Sequence, residues 1–485
     1  MASTLPPHTI SHLISQVAAD PGLPRDRPTE SFWQLPPHSL AEVQSSLLPA
    51  TTTYAIIGSG VTGCSVAKHL LELSSDAEIT VFEARTLTSG ATGRNGGLLT
   101  SFVPYDFAEL KEHIGLQQAV KIGRYAHRTL EKMHQLGQGL QEVSEVRRIR
   151  DIVGFGDMES FRACEASIQA FEKEVPDCSV HPVVLSAEEA RDKYNMKNIV
   201  SAMSFDCGAF WPYRLITSLW QQMLMDHAGR LKVETRTPVT EIAYDPSSDS
   251  DHPFILKTPR GTVRAAKVIH ATNGYTGHLL PSLRGKIYPL RGTMSAQKST
   301  PSFGDHGTQR AWSMIKSMDY DPETELLETG LYYSNQNPKT RDVFIGGEKA
   351  KITEMFVADD SEVTPAARMN ISNVLPRYFE HGWADGQAPE IQKIWSGVLG
   401  FTGDRLPFVG KVPASISGRD GQDGEWIAAG FNGYGMPQCW SAGEAVAKML
   451  LAEEVDDFLP ESYLPTEQRL ATLSAETALQ RLIAV

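Results

Sequence analysis

The sequence predicts an α/β protein of the doubly wound, Rossmann type, interrupted by a second domain, and three observations carry that reading. First, Tyr54-Ala55-Ile56-Ile57 is a continuous apolar run of strand length, followed at once by the glycine-dense turn Gly58-Ser59-Gly60-Val61-Thr62-Gly63. Second, Val61 to Leu73 sets Cys64, Ala67, Leu70 and Leu71 on one helical face, and Ile79 to Glu83 reads as another strand. A β-turn-α-β order of this kind opens a parallel sheet. Third, helical and strand-like runs keep alternating downstream: a helix over Tyr213–Ala228, and strands over Leu231–Thr235, Phe254–Thr258 and Lys267–Ala271.

No repeat, charge run or low-complexity tract marks a contiguous second domain, so the segments between these units are assigned to an insertion. The expected division is an N-terminal arm over 1–50, a nucleotide-binding domain over 51–105, 201–285 and 386–455, a second domain over 106–200 and 286–385, and a helical tail over 456–485. The arm is rich in proline (Pro6, Pro7, Pro21, Pro24, Pro28, Pro36, Pro37, Pro49) and lacks sustained periodicity, so it reads as a segment laid over the body.

At 485 residues and 41% hydrophobic content the chain is long enough to build two joined cores. Its formal net charge of −13 argues against a nucleic-acid partner or an anionic membrane surface. Five scattered cysteines (Cys64, Cys164, Cys178, Cys207, Cys439), with no C-x-x-C pair, form neither a disulfide framework nor a zinc site. No run approaches the roughly 20 apolar residues of a membrane span, and Met1–Asp20 lacks the n- and h-regions of a signal peptide. A cytoplasmic protein follows as the expectation, with oligomeric state left open.

The glycine turn carries the first chemistry. Gly58 permits the tight turn, Gly60 lets the backbone approach a pyrophosphate, Gly63 allows helix and strand to pack closely, and the helix N-terminus at Val61 and Thr62 faces the phosphate charge. Glu83, at the end of the second strand, is placed to accept a ribose 2′-OH and to repel a 2′-phosphate, which disfavours NADP. The fingerprint alone does not separate NAD from FAD. The next segment does: Arg85 to Gly97 reads Arg-Thr-Leu-Thr-Ser-Gly-Ala-Thr-Gly-Arg-Asn-Gly-Gly, a loop whose amides suit a pyrophosphate and a flavin edge.

These residues resemble the glycine and D-amino-acid oxidase (DAO) superfamily of flavoproteins, whose opening combines Gly-x-Gly-x-x-Gly, Glu-x-Arg and a Gly-Ala-Thr-Gly-Arg-Asn-Gly-Gly loop. The resemblance continues through Val239-Thr240-Glu241-Ile242, Ala271-Thr272-Asn273-Gly274-Tyr275-Thr276, Trp395-Ser396-Gly397 with Thr402-Gly403-Asp404, and Gly430-Phe431-Asn432-Gly433-Tyr434-Gly435-Met436. Among its branches the motifs look most like γ-glutamylputrescine-oxidase-like and fungal amine-oxidase-like members. The resemblance implies FAD as cofactor and a substrate domain on a mostly antiparallel sheet. It implies cofactor contacts at Gly58, Gly60, Val61, Thr62, Gly63, Glu83, Ala84, Arg85, Ala91, Thr92, Arg94, Asn95, Gly96, Gly97 and Leu98. Further contacts are implied at Val239, Ala271, Thr272, Asn273, Gly274, Gly403, Asp404, Gly433, Tyr434, Gly435 and Met436.

Two departures stand out. Tyr434 replaces a histidine common in the last loop, and Gly330-Leu331-Tyr332-Tyr333-Ser334 offers no cysteine where sarcosine-oxidase relatives attach their flavin, leaving Cys439 as the outside candidate for covalent attachment. Flavin-dependent oxidation of a C–N bond needs positioning and electrostatics more than acid-base machinery, since a neutral amine passes its α-hydrogen as hydride while its lone pair develops the imine. Trp211, Tyr332 and Tyr333 are candidate walls of an aromatic pocket, and Arg291 a candidate partner for a substrate carboxylate or a cation near the flavin. Arg94 reads equally as a ring contact or a structural ion pair. The reading is therefore an FAD-dependent amine or amino-acid oxidase, with O2 as acceptor giving H2O2. Its rivals are a dehydrogenase using another acceptor, a 2-hydroxy-acid oxidase and a non-catalytic flavin binder.

Overall fold

The structure is a computed structural model that describes residues 5–247, 251–383 and 389–483. Among these residues two sheets organise the chain. The smaller has eight strands, in the order Phe408–Lys411, Glu425–Ala429, Gly261–His270, Thr51–Ile57, Ile79–Phe82 and Leu231–Glu234, with Phe254–Thr258 and Glu241–Tyr244 paired off Gly261–His270. Its central pairings are parallel, as expected of strands joined by helical crossovers. Alternate residues of one strand face opposite layers. Ile56 and Ile269 are buried with the helices Val61–Leu73 and Cys439–Leu450, whereas Ala55 and Val268 are buried with Phe254 and Leu256. The two helices approach closely because Gly443 lies where a Cβ would be 2.6 Å from Ser65 Cβ.

The larger sheet has ten strands, in the order Ile391–Thr402, Ile287–Gln297, Val343–Lys351, Leu326–Gln336, Arg310–Ile315, Arg147–Phe155, Ser201–Ala209 and Leu98–Leu99, with Asp319–Asp321 and Val183–Ser186 off this path. It is antiparallel except where Arg310–Ile315 runs parallel to Arg147–Phe155. One face packs under the helix Pro365–Tyr378, burying Ile152, Trp312, Met314, Tyr332, Val343 and Ile345. The other face, which carries Tyr333, Met294, Phe344 and Trp395, turns toward the smaller sheet's glycine loops.

The helix over Val61–Leu73 has the expected bounds. Three strands fall on the other side of the expected boundaries: Leu98–Leu99, Ser201–Ala209 and Ile391–Thr402 pair in the larger sheet rather than with the nucleotide-binding strands. Composition does not reveal this, because a buried strand reads alike in either sheet. The expected boundary at 385/386 and the last two residues of the tail lie outside the described residues. The arm is more ordered than its proline content suggests. It contains a helix over Pro7–Val17, with proline at its first position, and a short 3-10 turn over Phe32–Gln34.

Candidate active site

The glycine turn sits at the C-terminal ends of Thr51–Ile57 and Gly261–His270, the switch point where the strand order reverses. Gly58 has φ 110°, and a Cβ there would lie 2.6 Å from the Ala271 carbonyl oxygen. A Cβ on Gly63 would lie 2.0 Å from the Gly58 oxygen, so helix and turn meet without room for a side chain. The helix N-terminus carries no side-chain cap and no acid in its first turn, while Val61 N–H donates to Thr92 Oγ1 at 3.0 Å. Glu83 stands one residue past the second strand. Its Oε2 accepts from Ser59 N–H and Oγ, and its Oε1 from Arg85 N–H. Ala84 beside it is half-buried.

The loop over Ala91–Gly97 is held by its carbonyls. Asn95 Nδ2 donates to the Ala91 and Thr92 oxygens, and Ser31 Oγ and Gln34 Nε2 to the Gly93 oxygen. Trp395 Nε1 donates to the Arg94 oxygen at 2.8 Å, Trp33 Nε1 to the Asn95 oxygen at 2.6 Å, and Asn335 Nδ2 to the Gly96 oxygen at 2.6 Å. With these acceptors turned to the protein shell, the loop offers its glycine surface and the N–H groups not used within it to a bound anion or ring. Leu98 then enters the larger sheet opposite Ala209.

Arg94 resolves toward the structural alternative. Its guanidinium donates to the oxygens of Ser89, Ser396 and Thr29 and lies 3.5 Å from Asp360, which also pairs with Arg85 at 2.9 Å. Burial pulls the Arg94 guanidinium down to about 10, against the opposing pull of Asp360.

Several expected contacts brace the site from behind. Asn273 Oδ1 accepts from the Gly430 N–H at 3.1 Å, Thr272 bonds Thr276, and Gly274 lies where a Cβ would meet the Leu399 oxygen at 2.6 Å. Met436 is buried in the helical core. Val239 precedes the strand Glu241–Tyr244 and is buried beside Phe82 and Ile242. Gly403 and Asp404 are not brought to the cradle. Gly403 faces Leu473 and Ala478 of the tail, and Asp404 takes a two-point contact from Arg469, at 2.7 and 3.1 Å. In the last loop Gly433 is exposed, whereas Tyr434 stacks on Phe102 with ring centroids 4.1 Å apart, and Phe102 on Tyr105 at 4.8 Å.

Of the paired tyrosines it is Tyr333 that meets the Ala91–Gly97 loop: a Cβ on Gly96 would lie 2.6 Å from its ring. Tyr332, expected as a wall, points to the opposite face, fully buried, its hydroxyl bonded to Glu328 and Asn370. Trp211 is buried beneath the arm, donating from Nε1 to the Trp33 oxygen at 2.6 Å and standing edge-on to the Trp33 ring. Arg291 is committed as well. It donates to the Asp359 and Glu354 oxygens and pairs with Glu362 at 3.3 Å, so it is not free for a substrate carboxylate.

Residues 53–449 match the family model described as "DAO: FAD dependent oxidoreductase". The chain belongs to this FAD-dependent oxidoreductase family. It is 22% identical to gamma-glutamylputrescine oxidoreductase of Escherichia coli, covering 89% of this chain and 91% of that one. Identity is also 22% to a probable oxidoreductase OrdL of Rhizobium meliloti, over 85% of this chain and 86% of that protein. Among solved structures, glycine oxidase from Geobacillus kaustophilus superposes with a TM-score of 0.65 at 18% identity, covering 86% of this chain and 99% of that chain.

FAD fits what the residues present. An uncapped helix N-terminus beside Gly58 and Gly60 suits the pyrophosphate, Glu83 the ribose, and the Ala91–Gly97 and Gly433–Gly435 loops the ring system. When bound, FAD supplies a two-electron hydride acceptor. Cys439 sits behind this family's last loop, with Sγ 3.0 Å from a Cβ built on Gly435 and its thiol pushed up to about 12 by burial, which suits a packed thiol rather than a reactive one. Sequence reasoning missed Phe102, Tyr105 and Asp360. Asp360 carries no motif, and the two rings lie in a helix-leading segment whose aromatic content is indistinguishable from core.

Proposed function

We propose that this FAD-dependent oxidoreductase oxidises a C–N bond of an amine or amino-acid-like substrate, with O2 as acceptor and H2O2 as product. The observation that carries the reading is the character of the side chains about the glycine loops. Aromatic rings stand there (Tyr333 against Gly96, Tyr434 on Phe102), and the cations Arg94, Arg291 and Arg405 are already paired with Asp360, Glu362 and the pair Asp106 and Glu109. An oxidase of 2-hydroxy acids or of α-amino acids needs an uncommitted cation for the carboxylate, and a simple amine does not, so the amine end of this reading is favoured. The printed activity of the Escherichia coli relative points the same way. We assign the smaller sheet to the flavin and the larger to the substrate. A reducing compartment such as the cytoplasm suits five free, buried cysteines.

The test is anaerobic mixing of the holoprotein with alkylamines, N-methyl amino acids, amino acids and 2-hydroxy acids while flavin absorbance is followed, then peroxide measurement in air. Bleaching by amines with stoichiometric peroxide is expected. Bleaching by hydroxy acids alone would overturn the C–N assignment, and bleaching without peroxide the choice of O2.

A further inference from the structure

One carboxyl group on the Tyr333 face of the larger sheet has no counterpart. Glu348 is 7% exposed, and neither of its oxygens accepts a well-formed hydrogen bond among the described residues, the Thr293 N–H and hydroxyl being the donors that bear on it. It lies two residues beyond Gly346, so it shares the face on which a Gly346 Cβ would be 2.4 Å from the Tyr333 ring. The strand pairing shifts register at this point, between Glu328 and Tyr332.

Four groups bear on it: Arg291 and Thr293 from Ile287–Gln297, Glu354 from Ile352–Met355, and Tyr333. Arg291 does not neutralise it, being held by Glu362 and two backbone oxygens. Burial pushes the Glu348 carboxyl up to about 7, with Thr293 and Arg291 countering part of that rise. On the same sheet Asp151 is 3% exposed, with Oδ1 unpartnered and Oδ2 accepting from Ser313 Oγ at 2.8 Å; burial lifts it to about 6. A buried carboxyl with no well-formed donor to either oxygen weakens the folded chain, so Glu348, on the face whose Tyr333 meets Gly96, marks a place where positive charge arrives.

We propose that Glu348 receives the ammonium group of a cationic alkylamine substrate and takes one of its protons. The N–H bond breaks as the carboxyl O–H forms, and the neutral amine is left with the lone pair that oxidation requires. The inference rests on the C–N reading above and narrows the substrate to amines without a carboxylate beside the reacting carbon.

The test uses holoprotein and n-alkylamines against alcohols of equal length. Calorimetry on the wild type is expected to show amines binding at least about tenfold more tightly than their alcohols. In Glu348→Gln that preference is lost and the neutral-pH limb of the anaerobic flavin-reduction profile disappears, while flavin content and alcohol binding stay unchanged; Glu348→Asp restores the limb in part. Equal amine and alcohol affinity in the wild type would overturn the assignment without recourse to a variant. If amines reduce the flavin but Glu348→Gln keeps both the preference and the limb, Glu348 is wrong and the C–N reading stands. If no amine reduces the flavin, both fall.

Discussion

The neighbouring tyrosines separate stability from chemistry. Tyr332→Phe removes a buried hydroxyl shared by Glu328 and Asn370, so a loss of about 1–3 kcal/mol on thermal or chemical unfolding is expected, with substrate affinity per folded molecule unchanged. Tyr333→Phe should do the reverse, altering substrate affinity and the flavin spectrum at near wild-type stability. Glu348 adds a pH signature. Its folded pKa, about 7, lies above the ordinary carboxyl value, so its contribution to stability is fully present below about pH 4.5 and lost as pH rises through 7. Glu348→Gln is therefore expected to unfold at a higher temperature than wild type at pH 8, by an amount on the order of 2 kcal/mol, and to match it at pH 4.5. Equal melting at both pH values would count against an uncompensated carboxyl. At Gly60, a Cβ would sit 2.9 Å from Thr92 Oγ1 and in the pyrophosphate's approach, so Gly60→Val should purify colourless. Normal flavin absorbance in that variant would refute the placement.

At the scale of elements, the Ala91–Gly97 loop is held by a strap. Ser31, Trp33 and Gln34 reach it from the arm, and Thr29 bonds both Arg94 and Ser396. Trp33→Phe keeps the ring stacked on Phe344 but leaves the Asn95 oxygen without its donor, which costs about 1–3 kcal/mol. That cost should appear as FAD dissociating roughly tenfold or more faster, measured by the rise of free-FAD fluorescence on dilution of the holoprotein. An unchanged off-rate would show that the strap only covers the loop. The glycine turn and its helix were legible because their requirements are local: no room for a Cβ at Gly58 or at Gly63, and a periodic apolar face. The choice between Tyr332 and Tyr333 was not. The bulge around Gly330, with φ 78°, interrupts the pairing of that strand, and no pattern in Leu331 to Ser334 records which ring takes which face. Arg291 and Asp360 were equally illegible, since their partners come from segments about 60 to 275 residues away in sequence.

For the whole molecule, the family and its cofactor were legible from motifs spread over residues 54–436, whereas the assignment of Ser201–Ala209 and Ile391–Thr402 to the larger sheet depends on long-range pairing that composition does not encode. Acid precipitation is expected to release FAD into the supernatant, because Cys439 is a packed, high-pKa thiol and Gly330–Ser334 contains no cysteine; yellow colour retained in the pellet would contradict this. The strap also bears on how the chain is assembled. Thr29 bonds Ser396, 367 residues later, and Trp395 holds the same loop, so the bracing of the Ala91–Gly97 loop is complete only when nearly the whole chain has been synthesised. Until then the loop lacks the late donors that fix its shape, and a cofactor arriving from solution meets a looser cradle than the finished chain offers. Chains truncated before Trp395 are thus expected to retain FAD more weakly than the full chain.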